Sequence, residues 1–227
     1  MENVTISDPV TLTASLIAVA FVGLSKGGLG GAFSLLGVPI MALFMPPLQA
    51  AALLLPVYLL MDAVSLWTWR GQWNKNILWQ MVPAALIGIV IGWLTASIVS
   101  DAAVRLLVGI VALGFVAMTV IRARYKSSNT AIGNNPLAAH FWGLLSGFTS
   151  FVAHAGGPTF QIYVMPMRLT PGLYTGTSVV FFAIMNASKI VPYYALGQFD
   201  LHNFSVLIPM LPVAVIATLS GAYIVKR

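Results

Sequence analysis

The sequence predicts an all-α polytopic membrane protein built as two inverted repeats, with broken or re-entrant helix pairs meeting near the membrane midplane. Three observations carry that expectation. The chain of 227 residues is 59% hydrophobic and 7% charged, whereas a soluble domain carries about a quarter charged residues. Its mean hydropathy of +0.93 exceeds what a soluble interior of this size can hide. Its apolar runs have the length that a bilayer requires, and short stretches of its two halves match at one offset.

Taken in order, the elements are of two kinds. A crossing helix needs roughly 20 apolar residues, and such runs occupy 48–69, 77–98, 102–121, 172–195 and 203–225. Residues 9–45 behave differently, being too long for one crossing and too broken by glycine for two ordinary ones. At ~1.5 Å per residue, the pieces 9–24 and 32–45 each fall short of a span. Residues 137–167 repeat the pattern, broken at SFVAHAGGPT. Each region reads as two short helical legs meeting at a non-helical elbow, the alternative being one full helix followed by a loop.

The loop charges give an orientation. RARYKSSNTAIGNNP (122–136) carries three basic residues and is placed in the cytoplasm by the positive-inside rule. Counting outward, Arg70 and Lys75, Arg168, Lys226 and Arg227 then fall inside, while the acidic N-terminus and GQFDLHN (197–203) fall outside. Arg105 is the exception, and it sits where a long side chain snorkels. The N-terminus MENVTISDP lacks a basic leader and a small-residue cleavage site, so no removable signal peptide is expected. The net charge of +6 is scattered through these gaps rather than gathered in a patch, which argues against nucleic acid.

The halves match at one spacing. GQWN (71–74) and GQFD (197–200) lie 126 positions apart, as do Gly30-Gly31 and Gly156-Gly157, and Pro83 and Pro209. The expected organisation is a first repeat at 1–125, a cytoplasmic linker at 126–136 and a second repeat at 137–227. Because the charge count puts GQWN and GQFD on opposite sides, the repeats are inverted, a plan that secondary transporters share.

The elbows carry the chemistry. Lys26 precedes Gly27, Gly28, Gly30 and Gly31, and His154 precedes Gly156 and Gly157. A charge in hydrocarbon costs roughly 2.5–3.5 kcal/mol on insertion scales, and a broken helix leaves backbone groups that lipid cannot satisfy. Glycine permits close approach, and a helix starting after an elbow aims free N–H groups at an anion. The expected substrate-binding set is therefore Lys26, Gly27, Gly28, Gly30, Gly31, His154, Gly156, Gly157, Gln161, Ser178, Asn186 and Lys189. Lys26 is expected to be balanced by water and the bound anion rather than by a structural partner. The bland alternative is that the glycines serve helix packing, which fits Gly88 and Gly92 best. Asp62 and His154 are the candidates for proton coupling. Asp62 aligns with Ser188, next to Lys189, so an Asp62–Lys189 ion pair is the other open reading of those two residues.

Other chemistry finds no foothold. With no cysteine there is no disulfide framework or thiolate site. His140, His154 and His202 lack zinc-ligand spacing, so neither a metal nor a cofactor is expected. No P-loop is present, and Asp62 is the only acid well inside a span, so no carboxylate pair exists for an enzyme.

The segment GLSKGGLGGAFSLLGVPIMALFMPPLQAAALLLP resembles the first signature of the TauE/SafE sulfite exporter family (TSUP). GLLSGFTSFVAHAGGPTFQIYVMPMRLTPGLYTGTSVVFF, followed by the GQFD turn, resembles the second, so the likeness covers nearly the whole chain. The elbow departs from the family pattern in its lysine and in having fewer glycines, and longer members continue past the position of Arg227. The resemblance implies a multi-pass permease of the bacterial inner membrane for sulfite, sulfonates or sulfoacetate-like anions. The proton is the expected coupling ion, the lipid bilayer the expected surroundings, and the oligomeric state is left open. An anion channel, a permease for a non-sulfur carboxylate and a membrane enzyme or assembly subunit are the rival readings.

Overall fold

The computed structural model describes residues 9–29, 33–96, 98–124, 135–197 and 207–227. Helices and the turns joining them account for these residues, with no strand among them. Gly30, Gly31, Gln198–Asp200 and His202 lie outside the described residues, as do the repeat anchors that depend on them.

α1 (Pro9–Leu24) runs on into a π-helical turn at Ser25–Leu29. The two together make a 21-residue apolar segment long enough to cross a membrane. The first leg therefore extends past its expected end at Leu24, and the helix breaks inside the turn, where Gly28 takes φ 150° and ψ −12°, a non-helical elbow at the glycines as the sequence predicts. A 3₁₀ turn at Phe33–Leu36 then leads into α2 (Gly37–Met41), which packs back on α1. Among the described residues, α3 (Pro47–Thr68) and α4 (Lys75–Thr95) are the other two helices long and apolar enough to span. The GQWN turn joins them, with the Asn74 side chain accepting from the N–H groups of Asn76 and Ile77 as an N-cap.

α5 is Asp101–Arg124, α6 Pro136–Ala153 and α7 Gly156–Val164, followed by a 3₁₀ turn at Met165–Met167. Asn135 caps α6 by accepting from Leu137 and Ala138. The 9 residues of α7 rise only about 14 Å at 1.5 Å each, too little to cross, and α7 packs against α6. The expected run at 172–195 is two helices, α8 (Pro171–Ser188) and α9 (Ile190–Ala195). Pro192 explains the break, because it has no N–H to offer the Ser188 carbonyl one turn back. α10 (Met210–Lys226) closes the described chain.

Glycine seams hold the bundle together. A Cβ on Gly143 would come within 2.6 Å of the Met81 carbonyl, and Gly88 and Gly147 press even closer on the Leu144 and Ala85 carbonyls. α4 and α6 therefore touch backbone to backbone, as small residues allow in lipid. Gly92 meets the Phe151 ring, so the packing reading holds for Gly88 and Gly92. α1 meets α10 through a similar seam, with Gly221 against the Leu24 carbonyl. α3 is the most enclosed of the three candidate spans and touches α2, α6, α8 and α10. The outer surface is apolar: Leu43, Trp79 and Leu113 are 75%, 83% and 73% exposed, an arrangement suited to lipid rather than water.

Candidate functional site

The π turn at Ser25–Leu29 is built so that its loosened backbone stays satisfied. Ser65 Oγ donates to the Lys26 carbonyl at 3.1 Å and Trp69 Nε1 donates to the Gly27 carbonyl at 2.8 Å, both from the end of α3. Gly28 takes φ +150°, a conformation that an L side chain rarely adopts. Gly27 has a different task. A Cβ there would strike the Thr218 carbonyl and come within 2.8 Å of the Ala222 nitrogen, so the bare Cα is what lets the turn seat against α10.

The second elbow is shorter. α6 ends at His154, which adopts the left-handed conformation with φ 51°, and α7 begins two residues later with no side-chain cap. Gly156 is again a packing residue, since a Cβ would lie 2.7 Å from the Ser146 carbonyl. Ser146 and Thr159 hydroxyls donate to the Gly156 carbonyl at 2.8 and 2.9 Å, which fixes the start of α7.

The two elbows meet at one cavity. Ser25, Lys26 and Gly28 line it from the first elbow and His154 and Gly157 from the second, with Asp62 from α3 and Ser178 and Asn186 from α8. It holds about 600 Å³ of atom-free space, counting its mouth and the solvent open to it. Gln161 is buried on α7 and is not part of the lining, nor are Gly27, Gly156 and Lys189.

Lys26 is paired, against the expectation that only water and an anion balance it. Its ammonium forms a short ion pair with Asp62 Oδ1 and lies 3.4 Å from the Tyr58 carbonyl. The other carboxylate oxygen of Asp62 accepts from Asn186 Nδ2 at 2.6 Å. An Asp62–Lys189 pair therefore does not form. The reason is reach along α3: Asp62 lies one helical turn beyond Tyr58, so the acid and the Tyr58 carbonyl face the same lysine.

Lys189 goes elsewhere. It caps α8 at the Pro192 break and donates to the Ser150 carbonyl at 3.1 Å, Ser150 Oγ at 3.1 Å and His154 Nδ1 at 2.7 Å. Nε2 of His154 donates to the Ala51 carbonyl at 2.9 Å. A carbonyl only accepts, so Nε2 holds the ring proton and Nδ1 presents its lone pair to the lysine.

Tyr58 was not among the expected site residues, yet it joins the two clusters. Its ring lies 4.9 Å from the Lys26 ammonium and 4.5 Å from the His154 ring. Its hydroxyl is buried with no hydrogen-bond partner among the described residues. The signal available in the sequence was Tyr58 standing one turn before Asp62 in an otherwise aliphatic run.

A family model described as sulfite exporter TauE/SafE matches residues 15–227, which takes in both elbows and every residue lining the cavity. The chain belongs to the TauE/SafE sulfite exporter family. Comparison with curated proteins and with solved structures gives no match. Membership, together with the three apolar spans, makes the chain a TauE/SafE membrane transport protein for an anion. Among the described residues no His, Asp or Glu cluster is suited to hold a metal ion.

Proposed function

We propose that this chain is a secondary transporter of a small sulfur-containing oxyanion, such as sulfite or a sulfonate, across the bacterial inner membrane. One observation carries the reading: two glycine elbows from distant parts of the chain line one cavity with Lys26 and His154 on it. Broken helices facing a shared cavity are how secondary transporters bind substrate near the midplane, often between inverted repeats. The cavity adds hydroxyls at Ser150 and Ser178 and, at Gly157, the uncapped start of α7, all suited to oxyanion oxygens.

Proton coupling is assigned to the His154–Lys189 contact ahead of Asp62. Both Asp62 oxygens already accept hydrogen bonds, from Lys26 and Asn186, so the carboxylate is already engaged. His154 Nδ1 and Lys189 Nζ instead face one another across 2.7 Å, two basic nitrogens placed to share one proton. The N-terminus is outside and the C-terminus cytoplasmic, with repeats at 1–125 and 137–227 joined by 126–136. Reporter fusions after Arg227 and at Asp200 test this orientation, and the same side for both would sink the inverted plan.

The function is tested by uptake of labelled sulfite and methanesulfonate into proteoliposomes, with and without a pH gradient. Saturable, gradient-dependent uptake with counterflow is expected. Flux without saturation or counterflow would make the cavity part of a channel.

A further inference from the structure

One aromatic side chain on the cavity is positioned without a hydrogen bond of its own. Tyr58 lines the cavity from α3, with its ring 4.9 Å from the Lys26 ammonium and 4.5 Å from the His154 ring. It is therefore a wall between the two elbows. Its hydroxyl is buried with no hydrogen-bond partner among the described residues, so packing decides how far the ring stands back. The residue behind it is Gly37 of α2. A Cβ built there would overlap the Tyr58 hydroxyl and come within 2.9 Å of Val22 Cγ2, yet it would stay 3.5 Å from Tyr58 Cζ. The bare Cα of Gly37 is thus a recess that receives one oxygen atom. The backbone of Gly37 is helical, so glycine is not needed there for an unusual φ. Neither Gly37 nor Val22 lines the cavity, which puts both behind the ring as seen from the substrate's side.

We propose that Tyr58 and Gly37 together set the size limit of the substrate, the tyrosine as the wall and the glycine as the recess that holds the wall back. This rests on the transport reading given above. The apolar part of the lining comes from Tyr174, Val179 and Phe182 on α8. An oxyanion with a carbon tail therefore has α8 on one side and the Tyr58 ring of α3 on the other. Filling the recess drives the ring forward into the cavity, because a close-packed interior passes the displacement on. A longer tail then meets the ring while a bare oxyanion does not. Removing the ring does the reverse. Removing the hydroxyl alone leaves the wall standing and empties the recess, which a Cβ at position 37 can then occupy.

The test is calorimetric titration of the purified full chain in detergent with methanesulfonate and propane-1-sulfonate, which share one head group and differ in tail. The quantity read is the ratio of their affinities, with a thermal melt of each variant. Gly37→Ala should weaken the propyl probe relative to the methyl probe about tenfold. Tyr58→Leu should shift the ratio about tenfold the other way by opening the wall. Tyr58→Phe should leave the ratio within about threefold of the wild type, since the ring remains. Adding Tyr58→Phe to Gly37→Ala should return the ratio to that range, because the methyl group takes the place of the oxygen. If Gly37→Ala alone does not fold, a folded double variant supports the recess and Tyr58→Leu reads the wall. A tyrosine that only supports the fold would move both affinities together and leave their ratio alone. An unchanged ratio in folded Gly37→Ala or folded Tyr58→Leu overturns the size rule and leaves the transport reading standing. So does a double variant no better than Gly37→Ala. Failure of the folded wild type to bind either sulfonate overturns both.

Discussion

The two elbows share a local grammar, a basic residue followed by a glycine pair, and they are stabilised in opposite ways. At the first, Lys26 is neutralised by Asp62, and the carbonyls freed by the π turn are taken by Ser65 and Trp69. At the second, His154 has its ring held between the Ala51 carbonyl and Lys189, which has no carboxylate partner among the described residues. One elbow is built on an ion pair and the other on hydrogen bonds alone. Similar sequence patterns therefore fix backbone shape, while the charge balance is decided by which helix passes behind the elbow: α3 with its acid, or α8 with its lysine.

The comparison can be broken most forcefully at Asp62. Asp62→Ala leaves Lys26 enclosed without a counter-charge, and breaking a buried pair costs about 3–5 kcal/mol. The double change Lys26→Met/Asp62→Asn should recover most of that loss, read as unfolding free energy in a double-mutant cycle. A single Asp62→Ala that melts like the wild type would mean that the first elbow is not held by its ion pair.

Gly27→Ala should come next, because its Cβ enters the backbone of α10 and overpacking of this kind costs about 1–3 kcal/mol. Gly114 has nothing within 4 Å of a built Cβ, so Gly114→Ala is the matched control and should be neutral or slightly stabilising. Equal melts for the two alanine variants would remove the seam between the first elbow and α10 from the account.

Trp69→Phe removes the donor to the Gly27 carbonyl while keeping most of the ring. A loss of about 1 kcal/mol is expected, together with faster amide exchange in the π turn. Unchanged exchange at Gly27 and Gly28 would show that the turn keeps its winding without that bond.

The smallest effect sharpens the contrast. Lys189→Met removes buried hydrogen bonds but strands no acid, so a loss of only about 1 kcal/mol is expected. A loss as large as that of Asp62→Ala would show that the second elbow is held by an ionic contact as well.

Much of this architecture was legible in the chain. Apolar run lengths located α3, α4, α5, α8 and α10, and the glycine pairs beside Lys26 and His154 located both breaks. Pairing was not legible. Asp62 is nearer in sequence to Lys26 than to Lys189, but spacing does not say which it meets, and only the placement of α3 against the π turn decides between them. Gly27 and Gly28 are neighbours of identical type, yet one packs on α10 and the other lines the cavity. Tyr58 was passed over because an aromatic residue in an aliphatic helix is usually core. Its place between two basic residues is a property of three helices at once.

The glycine seams have a mechanical consequence. Where helices touch backbone to backbone, as α4 and α6 do at Gly88, Gly143 and Gly147, sliding one past the other drives carbonyls into Cα atoms, and packed backbones do not deform continuously. Each seam then couples its two helices into a single lever, α4 with α6 and α1 with α10. A change of shape that opens the cavity to one side should therefore run through the joints between these levers, and a crosslink within one seam should leave it unhindered while a crosslink between the two levers should stop it.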